Sequence, residues 1–171
     1  MDYDLIQTIV GVVGLGTILL LWWQIRSGLE WEKIKISLNQ VDLSLLETNG
    51  YILSDAGIDL TRYTLNDDEE KILLDEKNTD VLYALRDILN MLERFATLYN
   101  MKVLNKKIVY ESFSEDTLFY YRKFEKIIEY HREKIDRFYY TNLKKCAKEF
   151  LKKNEEEEKK IKKIKKLQDE L

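Results

Sequence analysis

From Leu5 to Trp23 the chain reads LIQTIVGVVGLGTILLLWW, nineteen residues without an ionisable side chain. As a helix rising about 1.5 Å per residue, this run measures roughly 28 Å, against about 30 Å for the hydrocarbon core of a bilayer. A stretch so apolar crosses a membrane, is cleaved as a secretory leader, or lies buried in a globular body. A leader needs a basic start and small residues at its cleavage site. Here Asp2 and Asp4 precede the run, and Trp22-Trp23-Gln24-Ile25-Arg26 closes it. A buried helix of a globular domain carries a polar face or a shorter apolar run. The expectation is therefore a single transmembrane helix, with Trp22 and Trp23 at the headgroup boundary and Arg26, Lys33 and Lys35 behind them. That charge asymmetry sets the N-terminus outside and the rest of the chain in the cytoplasm.

Setting aside this anchor and the charged C-terminal stretch leaves on the order of 130 residues, the size of one small domain. With 45% hydrophobic and 12% aromatic residues, eleven of them tyrosine, the remainder has material for a packed interior. Proline is absent and the last glycine is Gly57, so nothing interrupts long helices in the second half. The expected fold is all-α: an N-terminal membrane anchor (1–26), a juxtamembrane amphipathic helix (27–50), a cytosolic helical domain (51–151) and a charged C-terminal helix (152–171).

Within the anchor, Gln7, Gly11, Gly14, Ile18 and Leu21 share one helical face, and two glycines there let backbones approach closely in a helix–helix contact. Ser27-Gly28 reads as a swivel, because both are poor helix-interior residues. Trp31, Ile34, Leu38, Val41 and Leu45 recur at helical spacing towards a stop at Asn49-Gly50. Ser54-Asp55-Ala56-Gly57 reads as a turn. Asn66, followed by Asp67, Asp68 and Glu69, predicts the start of a short helix to about Leu74, with acids placed to meet the helix dipole. After the polar break at 75–78, the clearest helix starts near Thr79 and ends near Asn100. Its stripe includes Leu85, Leu89, Leu92 and Phe95, wide enough for two covering neighbours. Asn90 and Glu93 stand at its edge as candidate buried polar residues, with Arg86, Arg94 and Arg122 as possible partners for the carboxylate.

Asn105 is placed to cap one helix and Ser114-Glu115-Asp116 a second, whose core positions include Phe124 and Ile128. Phe138-Tyr139-Tyr140 reads as a turn before a last helix. The final stretch, KKNEEEEKKIKKIKKLQDEL, offers Glu155–Lys159, Glu156–Lys160 and Glu158–Lys162 as favourably ordered pairs on a solvated helix.

No constellation for catalysis stands out. His131 and Cys146 are the only residues of their kinds, too few for a structural zinc site or an internal disulfide. A carboxylate-bridged metal bundle needs Glu-x-x-His motifs, and Ile128 occupies the Glu position before His131. No glycine-rich phosphate loop occurs outside the apolar run. The expected activity is non-enzymatic, with no cofactor, no metal and no nucleic-acid partner.

The segment ILNMLERFATLYNMKVLNKKIVYESF (88–113), followed by LFYYRKFEKIIEYHRE, resembles an uncharacterised bacterial family of small proteins. Its members carry one N-terminal membrane helix and a cytosolic helical domain with a Leu-Asn-x-x-Glu-x-x-Ala core, matched here by Leu89, Asn90, Glu93 and Ala96. The resemblance covers about 60–150 and implies architecture more than activity; the Glu/Lys-rich tail departs from it. Proteins of this type are found among phage-defence and abortive-infection genes. The resulting expectation is an inner-membrane interaction protein, an anti-phage effector or accessory acting by oligomerisation, whose partners are membrane lipid and either a second copy or another protein. The alternative is a scaffold or accessory subunit of a larger membrane complex.

Overall fold

The computed structural model describes residues 3–39 and 41–169, with side chains for 20–37, 39 and 41–166. These residues form helices and no strand: α1 (Tyr3–Leu38), α2 (Leu43–Asp55), α3 (Asp67–Leu74), α4 (Thr79–Asn100), α5 (Lys106–Lys123), α6 (Glu125–Lys134) and α7 (Thr141–Asp169). The all-α expectation holds. Among the described residues no helix is long and apolar enough to cross a membrane. Most of the expected span at 5–23 lies outside the residues whose side chains are described.

α4 is the axis of the bundle. Val81, Ala84, Leu85, Ile88, Leu89, Met91, Leu92, Phe95, Ala96 and Tyr99 are all buried along it. α2 and α7 pack on it along much of its length, α5 touches it and α7, and α3 lies on α6. Edge-to-face ring pairs fill the middle, with Phe95 against Phe113 at 5.6 Å and Tyr99 against Phe150 at 5.2 Å.

Local chemistry explains most helix ends. Asn66 forms a capping box: its side chain accepts from Glu69 N, and the Glu69 carboxylate accepts from Asn66 N at 2.8 Å each. Asn105 accepts from Lys107 N and Ile108 N at the start of α5. α2 ends in a Schellman arrangement, where Ile58 N reaches Leu53 O and Gly57 N reaches Ser54 O, with Gly57 at φ +92°. Leu53 and Ile58, the apolar pair that accompanies such an end, are both buried.

Several expected boundaries move. α1 runs without a break through Ser27-Gly28, so no swivel separates 1–26 from 27–50. The stripe beginning at Trp31 is not one helix either: α1 stops at Leu38, and Asp42 caps α2 by accepting from Leu45 N. α2 then passes through Asn49-Gly50, because the positive-φ glycine that ends it is Gly57. Ser114 is buried inside a continuous α5, and the chain kinks instead at Phe124. α7 continues unbroken to Asp169, carrying the Glu/Lys stretch as its extension.

The segment between α2 and α3 is held by an ion pair that the sequence did not announce. Lys123, 1% exposed at the end of α5, donates to both Glu69 oxygens at 3.1 and 3.2 Å and to Thr64 O at 3.1 Å. Glu69 also accepts from Asp59 N at 2.6 Å. Burial pushes the Glu69 carboxyl up, but the hydrogen bonds from Asn66, Asp59 and Lys123 outweigh it and hold the group below its ordinary 4.5. A lowered native pKa stabilises the fold above the unfolded value, and the gain is lost as pH falls through the native value. Urea midpoints should therefore drop on acidification below about pH 4.5, and less steeply in Glu69→Gln, which has no such proton to gain. Lys123→Met, which strands a buried carboxylate, should cost about 3–5 kcal/mol at neutral pH.

Candidate functional site

The described part of α1 stands out from the rest of the molecule by its exposed apolar surface. Leu20, Leu21, Trp22, Trp23, Ile25, Leu29 and Trp31 are each more than half exposed. They point to all sides of the helix, so no single face is kept for packing on the bundle. The Arg26 guanidinium lies over the Trp22 ring at 5.2 Å, a cation–π contact at the polar end of the apolar run. Of the expected helix-packing stripe, Leu21 is exposed, while Gln7, Gly11, Gly14 and Ile18 lie outside the residues whose side chains are described.

The far end of α1 is fixed to the bundle through Ser37, which is fully buried. Its hydroxyl donates to Lys33 O at 2.6 Å and accepts from Asn105 N at 3.0 Å. The residue that caps α5 thus also holds the last turn of α1. Just after α1, Val41 is buried, and Asp42 N points at Met91 Sδ at 3.3 Å on α4. The exposed apolar helix is therefore mounted on α5 and α4 by buried contacts on both sides of its C-terminal end.

The bundle's ionisable groups serve as joints. Glu93 is half-buried and pairs with none of the arginines expected for it: it accepts from Asn142 N at 3.1 Å, Asn142 Nδ2 at 2.9 Å and Leu143 N at 2.7 Å. A carboxylate on α4 thus meets the free N–H groups at the start of α7, where the helix dipole favours negative charge. Asn90 is exposed rather than buried, on the polar face it shares with Asp87 and Arg94, and accepts a long 3.4 Å bond from Tyr140. Leu85, Leu89, Leu92, Phe95, Phe124 and Ile128 are in the core.

Glu149, within α7, joins the C-terminal end of α4 to the N-terminal end of α5. It accepts from Tyr99 Oη at 2.7 Å and from Lys106 Nζ at 3.0 Å. Burial raises its pKa, and the hydrogen bonds from Tyr99 and Lys106 overcome that to leave it lowered. Cys146 is wholly buried beside this group, its thiol pushed up to about 12 by desolvation first and the Glu149 charge second. Such a thiol is nearly all protonated at neutral pH and is a poor nucleophile.

His131 lines a cavity of about 90 Å³ with Leu82, Leu85, Arg86, Leu89, Ile135, Tyr139 and Tyr140. Burial, then the Arg86 charge, lowers its pKa and favours the neutral ring. Its Nδ1 is buried with no hydrogen-bond partner among the described residues. No carboxylate or thiol lines the cavity to complete a nucleophile–base pair. Among the described residues no three His, Cys, Asp or Glu side chains are grouped to hold a metal ion.

The fold and its joints define a class: a small all-helical domain with an apolar helix exposed beside it and three carboxylates, Glu69, Glu93 and Glu149, joining its helices. The chain belongs to the DUF4760 family, a domain of unknown function, whose profile matches residues 11–150. No curated protein and no solved structure matches it. The family match takes in the second half of the apolar run and nearly all of the bundle, and stops before the Glu/Lys stretch of α7.

If Glu93 is a joint between α4 and α7, Glu93→Ala should lower stability in thermal or urea unfolding by about 1–3 kcal/mol, the range for stranding buried N–H groups at a helix start. Arg86→Gln and Arg94→Gln, which remove two of the three partners expected from the sequence, should each stay within about 0.5 kcal/mol.

Proposed function

We propose that this protein is a membrane-anchored, non-enzymatic interaction protein. Its N-terminal apolar run enters the bacterial inner membrane, and its helical bundle stands at the cytoplasmic face. The observation that supports this most is the apolar surface at 20–31, with three tryptophans and an arginine at the boundary of a longer run free of ionisable residues. Exposed apolar area of this extent on a single projecting helix is costly in water, and tryptophan beside a basic residue is the composition of a headgroup boundary.

The mechanism follows from how α1 is mounted. With no break at Ser27-Gly28 and with Ser37 locked to the start of α5, association of two bundles would bring their anchors together as stiff bodies. Gly11 and Gly14 on one face of the run then permit close backbone contact between anchors. Clustering of this kind disturbs the bilayer, which suits an abortive-infection response to phage. The proposed partners are membrane lipid and a second copy of the chain.

Overexpression in bacteria should produce ion leakage and growth arrest, read by a membrane-potential dye and by colony counts. A Gly11→Leu, Gly14→Leu double variant should still fractionate with membranes while losing most of the leakage. Undiminished leakage in that variant would remove the anchors from the mechanism. A silent protein recovered from native membranes with a stoichiometric partner would instead identify an accessory subunit of a larger complex.

A further inference from the structure

α7 is longer than the bundle it belongs to. Its buried stripe runs through Leu143, Cys146, Ala147 and Phe150, then meets α5 again where Tyr110 Oη donates to Asn154 and to Glu157 Oε2. The same spacing continues to Ile161 and Ile164, which are 53% and 56% exposed, so the stripe outlasts the helices that cover it. Around these isoleucines Lys159, Lys160, Lys162, Lys163 and Lys165 are all exposed, and among the described residues none of the five makes an ion pair.

The preceding acidic turn does not cancel this charge. None of the pairs Glu155–Lys159, Glu156–Lys160 and Glu158–Lys162 closes to an ion pair. Glu156 and Glu157 line a groove with Lys106, Lys107, Lys153 and Lys160, in which Lys106 and Lys153 pair with Glu149 and Lys107 with Glu111. Beyond it the helix is a short basic amphipathic segment with an apolar edge. Two such edges packed in parallel would set lysine against lysine, whereas an anionic surface satisfies both the charge and the isoleucines.

The position of this segment is informative as well. The first two turns of α5 hold α1 through Asn105 and Ser37, and hold α7 through Lys106 with Glu149 and Tyr110 with Asn154. The last turn of α1 and the middle of α7 thus both meet the start of α5.

We propose that the Lys159–Lys165 turns of α7 are a second membrane contact, which lies on an anionic leaflet with Ile161 and Ile164 in its interface. This rests on the anchor reading of α1 and adds the lipid class that the cytoplasmic side recognises.

The test uses the full chain with vesicles of phosphatidylcholine alone and of phosphatidylcholine mixed with phosphatidylglycerol. Cleavage by trypsin after Lys159–Lys165, followed by mass spectrometry on outward-facing protein, should be about tenfold slower in the anionic vesicles. Raised salt should restore it. Ile161→Ser with Ile164→Ser keeps every cleavage site and should lose most of the protection. Equal cleavage in the two lipids overturns the proposal. So does protection that ignores lipid charge and salt, which would assign the stripe to a second copy or a protein partner. Flotation separates the two readings. A chain that floats with both vesicles but is cleaved equally keeps the anchor and loses the second contact. One that floats only with anionic vesicles keeps the second contact and loses the anchor, and one that floats with neither loses both.

Discussion

The apolar stripe of α4 is the constraint from which the rest of the molecule follows. A helix with residues buried from Val81 to Tyr99 around well over a third of its circumference needs partners on several sides, and α2, α7 and α5 supply them. Each partner arrives after a different length of chain, so each must also be located along α4. Apolar contact alone fixes position loosely, because neighbouring turns offer similar surfaces. Three carboxylates add the directional contacts: Glu93 fixes the start of α7, Glu149 joins α7 to the ends of α4 and α5, and Glu69 ties the crossing between α2 and α3 to the end of α5.

That use of carboxylates also bears on chemistry. A catalytic acid or base needs a reactive face open to a substrate and a pKa matched to its task. Glu69 and Glu149 are held below their ordinary values by donors that occupy them, and Glu93 is filled by the N–H groups of α7. Cys146 is sealed and protonated, and His131 lines a small cavity with Arg86, Tyr139 and Tyr140 but no carboxylate. Glu69, Glu93 and Glu149 thus hold helices in register.

Much of the fold is legible in the chain because its signals are local. The span of α3, the break at 75–78, the full length of α4 and the turn at 138–140 follow from capping residues and helical spacing within a few residues of each boundary. The boundaries that differ do so for different reasons: Asn49-Gly50 and Ser114 sit inside helices that packing carries through them, whereas the break before Asp42 interrupts an apolar stripe whose spacing continues across it. Ser114 is buried within α5, and Gly50 lies where a Cβ would sit 3.6 Å from Leu60 without strain. The Glu69 capping box was readable from Asn66 onwards, yet its buried partner Lys123 comes 54 residues later. The partner of Glu93 was missed for a related reason: sequence draws attention to arginines, while the structure satisfies the carboxylate with backbone N–H groups that no side-chain pattern encodes. At the candidate site, Leu20 to Trp23 are visible as the end of the apolar run, but not the mounting of α1 through Ser37, which depends on a contact 68 residues away.

The functional account depends on one placement, that of α1 in lipid, and the chain carries its own probe. All three tryptophans, Trp22, Trp23 and Trp31, are on α1 and exposed, so tryptophan emission, excited to the red of tyrosine absorption, reports this helix. The direct measurement is quenching of that emission in vesicles by brominated acyl chains and, separately, by aqueous iodide. The account predicts strong quenching from the lipid side and a fraction shielded from iodide that disappears on unfolding. Full access to iodide, with no effect of the brominated lipid, would contradict it.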